Sequence, residues 1–180
     1  MNHHVITISG LPGCGKSTTA KLLAEKLNFK YIDTGTIFRQ LAEKHKMTLH
    51  QFEQYSNDHH EIDKELDANI INQVKSSHVG VVLQGRLAGW MCKLNNLPAY
   101  KVWLYLDINK RAERIAEREK ISYEEASADI DFREKSIINR YKEVYSIDYQ
   151  DTSIYDLKLE TNLSPNEIVD EIINSLQKSQ

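Results

Sequence analysis

Short apolar runs alternate with longer amphipathic stretches along the chain. The apolar runs have the length of single strands and occur at residues 5–8, 29–33, 79–83, 101–107 and 154–160. Between them, apolar residues recur every three or four positions, as in "AKLLAEKL" at 20–27, which is the period of a helix with one buried face. Strands that alternate with helices predict an α/β fold, here a five-stranded parallel sheet flanked by helices.

Capping residues predict where several helices begin. Thr34 follows the second strand and predicts the start of a helix that continues through Leu41. Three further starts have Ser or Thr followed three residues later by Gln or Glu, so that each side chain bonds the other residue's backbone N–H. These capping boxes are Thr48 with Gln51, Ser122 with Glu125, and Ser164 with Glu167. The first predicts a helical stretch to about residue 77, and the second a helix to about Tyr145.

The chain has no repeat, low-complexity tract or linker that would divide it. We therefore expect one domain over residues 1–180, with a core at about 1–35, 78–110 and 151–180. Two long stretches lack a strand and are predicted as helical excursions from that core. They cover about residues 36–77 and about residues 111–150.

Composition narrows the class of protein. Apolar residues make up 41% of the 180 residues, and 23 Lys and Arg stand against 26 Asp and Glu, for a formal net charge of −3. A chain this close to neutral is a poor general binder of nucleic acid. Two cysteines far apart suit a reducing compartment, and no run reaches the length of a membrane-spanning helix. We expect a cytoplasmic protein with neither nucleic-acid nor membrane partners.

The segment "GLPGCGKS" at 10–17 fits the phosphate-binding loop G-x-x-x-x-G-K-[S/T], or P-loop. Glycines let backbone N–H groups approach a polyanion, and the helix that begins near Gly15 adds the positive end of its dipole. Lys16 can reach the β- and γ-phosphates, and the Ser17 hydroxyl can coordinate Mg²⁺. The strand before the loop and the helix after it provide the structural context that the motif requires.

Two other classes of P-loop protein lack support in the chain. A GTPase is expected to have N-K-x-D for guanine, whereas "NKRA" at 109–112 has no aspartate. A mechanical ATPase usually has an apolar strand that ends in Asp-Glu, whereas "VVLQG" places Gln84 there. A small-molecule kinase is the leading class.

Polar groups at the end of the second strand predict an acceptor site. The stretch "YIDTGTIFR" has a carboxylate at Asp33, a glycine at Gly35 and a guanidinium at Arg39. Ligands of open parallel sheets lie beyond the carboxyl ends of the strands, and arginine can bind a phosphate through two parallel hydrogen bonds. A surface position for Arg39 is the alternative.

The third strand repeats this arrangement in "VVLQGRLAGW". Gly85 permits a close backbone approach, Arg86 is a second candidate phosphate ligand, and Gly89 continues the loop. Two arginines at the ends of two strands favour a phosphate site over chance.

Together, the P-loop, "YIDTGTIFR", "GRLAGW" and the charged helix "RAERIAERE" resemble the archaeal-type cytidylate kinases of the P-loop nucleoside monophosphate kinase family, nearly end to end. The resemblance implies a P-loop kinase fold with a helical NMP-binding arm at 36–77 and a helical lid at 111–150. It implies phosphoryl transfer from ATP to CMP or dCMP with Mg²⁺. It assigns Asp33, Arg39 and Arg86 to the acceptor and Ser17 to the metal. It assigns to ATP the loop residues Gly10, Leu11, Pro12, Gly13, Cys14, Gly15, Lys16, Ser17 and Thr18.

This chain departs from the larger bacterial cytidylate kinases at one position. Those enzymes carry Asp after the Gly-Arg pair, where this chain has Leu87. The cytosine contact of that branch is therefore not transferred to this chain.

Arginines are concentrated in the predicted lid. Arg111, Arg114 and Arg118 are three and four residues apart and so share a helix face. Arg118 resembles the family's lid-hinge arginine that stacks on adenine, and we expect Arg114 and Arg118 to bind ATP. Arg133 and Arg140 are predicted to stabilise the transferred phosphoryl group as catalytic residues together with Lys16. The alternative is a solvated face with nearby glutamates as partners.

The predicted reaction is ATP + CMP to ADP + CDP in a monomer. Two alternatives are a kinase with another acceptor, either a different NMP or an alcohol such as shikimate or gluconate, and a nucleotide-responsive binding module with little turnover. An alcohol acceptor requires a general base, for which Asp33 is the candidate. His59 and Asp63, four residues apart, are expected to be a surface pair rather than a metal site.

Overall fold

Five strands form one parallel sheet in the computed structural model, which describes residues 4–179. They are β1 (Val5–Gly10), β2 (Lys30–Asp33), β3 (Val81–Gln84), β4 (Tyr100–Tyr105) and β5 (Leu157–Glu160). The helices are α1 (Lys16–Leu27), α2 (Thr34–Lys44), α3 (Leu49–Asp58), α4 (His60–Lys75), α5 (Ala88–Leu94), α6 (Ile108–Glu119), α7 (Tyr123–Tyr145) and α8 (Pro165–Lys178). The α/β prediction is confirmed.

The sheet has the order β2-β3-β1-β4-β5, with every strand parallel to its neighbours. The central strand is β1, where Ile8 pairs with Gln84 of β3 on one side and with Val102 of β4 on the other. The carboxyl ends of parallel strands share one edge. The chain passes from one side of β1 to the other, so the loop after β1 lies at the switch point where such sheets open a crevice.

Side chains of the strands alternate between two apolar cores, one on each face of the sheet. Ile6 and Ile8 belong to the core formed with α1 and α8. Val5 and Trp103 belong to the core formed with α4, α5 and α7. All six residues of β1 are buried. A strand covered by helices on both faces reads as a nearly continuous apolar run, which is the pattern of residues 5–8.

Two helical excursions leave the carboxyl edge of the sheet. The first, after β2, comprises α2, α3 and α4, and the second, after β4, comprises α6 and α7. A separate apolar cluster joins α6 to α7 through Ala112, Ile115, Ala126 and Ile130. The second excursion therefore has some apolar packing of its own, whereas the apolar residues of α4 belong to the core on the sheet.

Local details differ from the sequence expectations at three points. Asp33, not Thr34, caps α2, because its carboxylate accepts the Gly35 N–H at 3.0 Å. The helix predicted from Thr48 to about residue 77 is broken at His59, whose ψ of 68° is not helical and whose ring stacks on Tyr55. The last strand begins at Leu157 rather than at residue 154. The three predicted capping boxes are confirmed.

Across residues 4–179, no helix combines the length and the apolar character that a membrane crossing requires.

Candidate functional site

A cleft opens at the carboxyl edge of the sheet, between the P-loop and the two helical excursions. Twelve of the predicted site residues line it. They are Pro12, Gly13, Lys16, Ser17, Asp33, Gly35, Arg39, Gly85, Arg86, Arg118, Arg133 and Arg140.

The P-loop presents free backbone donors to this cleft. Gly13 and Gly15 have φ of 81° and 84°, a left-handed conformation that other residues rarely adopt. Gly15 is the N-cap of α1. Within the part of the chain that the structure describes, no side chain caps the N-terminus of this helix. The first N–H groups of α1 are therefore available to an anion.

Lys16 folds back over the loop. Its Nζ donates to the carbonyl oxygen of Leu11 at 2.7 Å and lies 3.8 Å from Cys14 Sγ. Burial lowers the pKa of Lys16; Cys14 opposes that shift, whereas the positive charges of Arg86 and Arg111 add to it. A cation held under these conditions gains from a bound polyphosphate, which would replace the lost hydration.

Ser17 lies next to an oxygen donor of the third strand. Its hydroxyl is 3.5 Å from Oε1 of Gln84, which also accepts a hydrogen bond from the Tyr31 hydroxyl at 3.1 Å. Mg²⁺ prefers hard oxygen donors and usually takes one or two protein ligands besides water and substrate phosphates. The hydroxyl of Ser17 and the amide oxygen of Gln84 fit that ion.

Asp33 organises the end of β2. One carboxylate oxygen accepts the Gly35 N–H, and the other accepts the Thr36 hydroxyl at 2.6 Å. Arg39 lies one and a half turns into α2 and contacts both Thr36, at 2.9 Å, and Asp33, at 3.5 Å. Its side chain is 54% exposed, so the guanidinium is positioned at the cleft yet accessible.

The next strand end approaches α2 closely at Gly85. A Cβ at this position would lie 2.2 Å from Oγ1 of Thr34. Only glycine allows β3 and the start of α2 to converge in this way. Asp33 and Arg86, which flank this contact in the chain, therefore both lie at the cleft.

Arg86 is held by a partner that sequence reasoning missed. Its Nη2 donates to Glu53 Oε1 of α3 at 3.2 Å, and the side chain of Glu53 is only 7% exposed. Thirty-three residues separate the two, and no local pattern indicates that pairing. The first excursion is therefore linked to the sheet edge by an ion pair inside the cleft.

The arginines of the second excursion differ in their surroundings. Arg118 is 62% exposed and pairs with Glu119, whereas Arg133 is mostly buried and pairs with Asp129 of its own helix. Arg140 is buried and lies 3.3 Å from Asp63 of α4. Asp63 was expected at the surface; it is buried because Arg140 of α7 lies against it.

Two arginines of α6 contact the P-loop region instead of lining the cleft. Arg111 is buried and donates to the carbonyl oxygens of Pro12 and Leu106, each at 3.1 Å, and to Glu134. Arg114 donates to the carbonyl oxygen of Thr161 at 2.8 Å. Arg111 therefore stabilises the P-loop through its hydrogen bond to Pro12. The sequence predicted only that Arg111 shares a helix face of the lid with Arg114 and Arg118.

Seven predicted site residues lie outside the lining of the cleft: Gly10, Leu11, Cys14, Gly15, Thr18, Arg114 and Gly89. Gly89 faces the core, where its N–H donates to Ser9 Oγ and a Cβ would lie 2.5 Å from the Tyr155 ring. The structure explains this glycine by packing. Arg114 lies beside Gly15, 3.6 Å from the position of a Cβ there.

A second carboxylate of α4 also lines the cleft. Asp67 accepts a hydrogen bond from the hydroxyl of Tyr145 on α7. Burial raises the pKa of Asp67 to about 6; the Tyr145 hydrogen bond opposes the shift and neighbouring Asp63 adds to it. The two helical excursions are thus joined across the cleft at two points, Asp63 to Arg140 and Asp67 to Tyr145.

Comparison with known proteins gives close relatives over most of the chain. The cytidylate kinase-like family matches residues 5–163. A cytidylate kinase of Methanocaldococcus jannaschii is 42% identical over 172 residues, which cover 95% of this chain and 96% of that protein. A cytidylate kinase of Thermococcus kodakarensis is 48% identical over 157 residues, which cover 87% of this chain and 79% of that protein.

Solved structures agree on the fold at much lower identity. A gluconokinase from Sinorhizobium meliloti has a TM-score of 0.64 at 15% identity and covers 97% of this chain and 91% of its own. A shikimate kinase from Aquifex aeolicus has a TM-score of 0.60 at 17% identity and covers 97% of both chains. The P-loop kinase fold is confirmed by these likenesses, which carry no information about the acceptor.

Proposed function

Because the chain belongs to the cytidylate kinase-like family, we propose that it transfers the γ-phosphoryl group of ATP to CMP or dCMP. The observation that carries this proposal is the composition of one cleft. Lys16 and Ser17 of the P-loop line it together with Arg39 of α2 and Arg86, which follows β3. A donor polyphosphate and an acceptor phosphate would meet between them.

The chemistry needs no general base. A phosphate oxygen of CMP is already an anionic nucleophile; it forms a bond to the γ-phosphorus while the bond to the bridging oxygen of ADP breaks. Catalysis then consists of positioning and neutralisation of charge on the equatorial oxygens. Lys16 is proposed to stabilise the negative charge of the phosphates during transfer. Its ammonium is partly buried beside the loop, and no carboxylate pairs with it within residues 4–179.

Mg²⁺ is proposed at the Ser17 hydroxyl, with the Gln84 amide oxygen as a neighbouring donor. When bound, the ion would act as a Lewis acid and neutralise part of the phosphate charge. The protein's own contribution is to orient that hydroxyl, which Gln84 does from the buried end of β3.

Arginines supply the remaining positive charge. We assign Arg39 and Arg86 to the acceptor phosphate and Arg133 and Arg118, on opposite parts of the second excursion, to the transferred phosphoryl group and ATP. The placement of Arg118 at the cleft and its exposure support contact with a ligand there. Arg140 is already paired with Asp63, which favours a role on the acceptor side.

The two helical excursions are proposed as mobile elements of a single domain: an NMP-binding arm at about 36–77 and a lid at about 111–150. The separate apolar cluster between α6 and α7 supports movement of the lid as a unit. We further propose a monomer located in the cytoplasm, with ATP and CMP as its small-molecule partners; two buried unpaired cysteines suit a reducing compartment.

An alcohol acceptor is less well supported. It requires a base to take a hydroxyl proton, and both oxygens of Asp33 already accept hydrogen bonds from Gly35 and Thr36. A side chain engaged in this way serves as a helix cap and a support for Arg39.

The direct test is transfer of radiolabel from [γ-³²P]ATP to CMP, with CDP and ADP identified by chromatography. Label in CDP, formed in a one-to-one ratio with ADP, supports the proposal. ADP formation with free phosphate and no labelled CDP would contradict it and favour a hydrolytic or merely responsive protein.

A further inference from the structure

Asp63 of α4 and Arg140 of α7 form a buried charged pair with unused hydrogen-bonding capacity. Their side chains are each 6% exposed, and Oδ2 of Asp63 lies 3.3 Å from Nε of Arg140. In the described part of the chain, neither of these two atoms makes a hydrogen bond. Buried polar atoms are normally hydrogen-bonded, so such a pair calls for an explanation.

Among the described residues, no neighbouring group forms the missing hydrogen bonds of the two atoms. The nearest carboxylate on α4, Asp67, is bonded to Tyr145. His60 approaches Glu143 at 3.8 Å and is also within electrostatic range of Asp63, but it makes no hydrogen bond to the pair among the described residues. Both Asp63 and Arg140 line the cleft, so a ligand that enters it would lie against this pair.

The walls around the pair are apolar and partly aromatic. Phe38, Leu66 and Ile70 line the same part of the cleft, and the guanidinium of Arg140 lies 5.6 Å from the ring centre of Phe38. Flat apolar walls with one donor and one acceptor suit a planar heteroaromatic ring better than a sugar or a phosphate.

The pair lies close to the arginine assigned to the acceptor phosphate. Tyr141 is within electrostatic range of Arg140, Arg86 and Asp63, because all three shift its pKa. The guanidinium of Arg140 is 5.5 Å from the ring centre of Tyr141. A nucleotide whose phosphate meets Arg86 would therefore have its base near Asp63 and Arg140.

We propose that Asp63 and Arg140 read the hydrogen-bonding edge of the acceptor base and select cytosine over uracil; this inference rests on the proposed function. The carboxylate of Asp63 accepts from the exocyclic amino group of cytosine, and the guanidinium of Arg140 donates to its ring nitrogen and carbonyl oxygen. Uracil has a carbonyl oxygen in place of the amino group and an N–H in place of the ring nitrogen. The carbonyl oxygen of uracil would then face the Asp63 carboxylate, so that two acceptors meet. The N–H of uracil would face the Arg140 guanidinium, so that two donors meet.

Such mismatches leave buried groups unpaired, which is why a site built to hydrogen-bond one ligand rejects another strongly.

The test compares kcat/KM for CMP and UMP in the wild type, in Asp63→Asn and in Glu61→Gln. Asparagine can rotate its amide to present either a donor or an acceptor, so we expect the CMP-to-UMP ratio to fall at least about tenfold. Glu61→Gln removes a carboxylate from the exposed side of the same helix and should leave the ratio unchanged. The KM for ATP should stay nearly constant in both variants.

A merely structural role for Asp63 would lower turnover on every acceptor alike and leave the ratio within about twofold. That result overturns the inference while CMP phosphorylation by the wild type still stands. If Asp63→Asn does not fold, Asp63→Glu keeps the charge opposite Arg140 and displaces the oxygens by one methylene. It should lower kcat/KM for CMP much more than for UMP; equal losses would overturn the inference. A wild type that does not phosphorylate CMP would instead refute the proposed function.

Discussion

Lys16 lies where the P-loop meets the cleft, and its ammonium group is bonded to a backbone carbonyl rather than to a carboxylate. We expect Lys16→Ala to lower kcat about 10²–10³-fold, the usual effect of removing one preorganised electrostatic contact. The melting temperature should change little, because the variant also removes a buried charge. Lys21→Ala, on the exposed face of the same helix, is the matched control.

Wild-type turnover in a folded Lys16→Ala variant would contradict the role of this residue. Circular dichroism and thermal unfolding establish the fold, and steady-state kinetics with saturating ATP and CMP establish kcat. A fall in kcat for Lys21→Ala as well would point to a general disturbance of α1.

Arg39 and Arg86 are both assigned to the acceptor phosphate, but their side chains differ in exposure and in ion-pair partner. Arg39→Ala should raise the KM for CMP at least about tenfold, because each hydrogen bond to a charged group contributes on the order of 1.5–3 kcal/mol. Its exposed side chain predicts little loss of stability. Arg86→Ala should raise the same KM and also destabilise the protein by about 3–5 kcal/mol, since it leaves Glu53 buried without a partner.

The measurement is the pair of KM values, for CMP and for ATP, together with urea unfolding of each variant. A rise in the KM for ATP with an unchanged KM for CMP would place these arginines on the donor side. Equal loss of stability in both variants would mean that the Glu53 pairing contributes nothing.

The site residues that sequence could predict are those with a local signal. Lys16 and Ser17 belong to a spaced motif, and Arg39 follows a strand end by a fixed number of helical residues. Glu53 and Asp63 have no such signal, because their partners are far along the chain and on other elements. Their burial is decided by packing between excursions, which one-dimensional patterns do not contain.

Helices α4 and α7 meet through Asp67 and Tyr145, and that contact predicts a pH dependence. The pKa of Asp67 is raised from its ordinary value of 3.8 to about 6, mainly by burial. The folded state therefore holds this proton more tightly than the unfolded state does. Its contribution to stability is present below about pH 4 and is lost as the pH rises to about 6, a change of about 3 kcal/mol.

Urea unfolding of the wild type and of Asp67→Asn between pH 4 and pH 7 tests this. The difference between the two free energies of unfolding cancels the titration of histidines and other carboxylates. The free energy of unfolding of the wild type, relative to that of the variant, should fall as the pH rises from about 4 to about 6. Above that range the difference should stay constant. Parallel curves would contradict a raised pKa of Asp67.

Element boundaries show what local sequence chemistry determines. Capping boxes at Thr48, Ser122 and Ser164 are satisfied within four residues, so their helices begin where expected. The break at His59 has no such local signal: its backbone is not helical, with ψ of 68°, and its ring stacks on Tyr55.

The molecule as a whole consists of a rigid sheet and two helical excursions that face each other across the cleft. We expect the segment 111–150 to close when both nucleotides are bound, since Arg118 and Arg133 of this segment lie at the cleft. Closures of this kind occur on microsecond-to-millisecond timescales and can limit turnover. An analogue that joins adenosine and cytidine through five phosphates should protect amides of 111–150 from hydrogen exchange.

CMP alone is the control and should protect mainly residues of the first excursion and of the β3 end. Protection by the joined analogue that is confined to the P-loop would indicate a rigid site and contradict the proposed closure of 111–150.

The central claim is that the cleft joins ATP to a cytidine monophosphate, and a panel of acceptors tests it most directly. The measurement is kcat/KM at saturating ATP and Mg²⁺ for CMP, dCMP, UMP, AMP, GMP, shikimate and gluconate. The account predicts that CMP or dCMP has the highest value and that both exceed UMP, with no turnover of shikimate or gluconate. A higher value for AMP, GMP or either alcohol than for CMP and dCMP would contradict it.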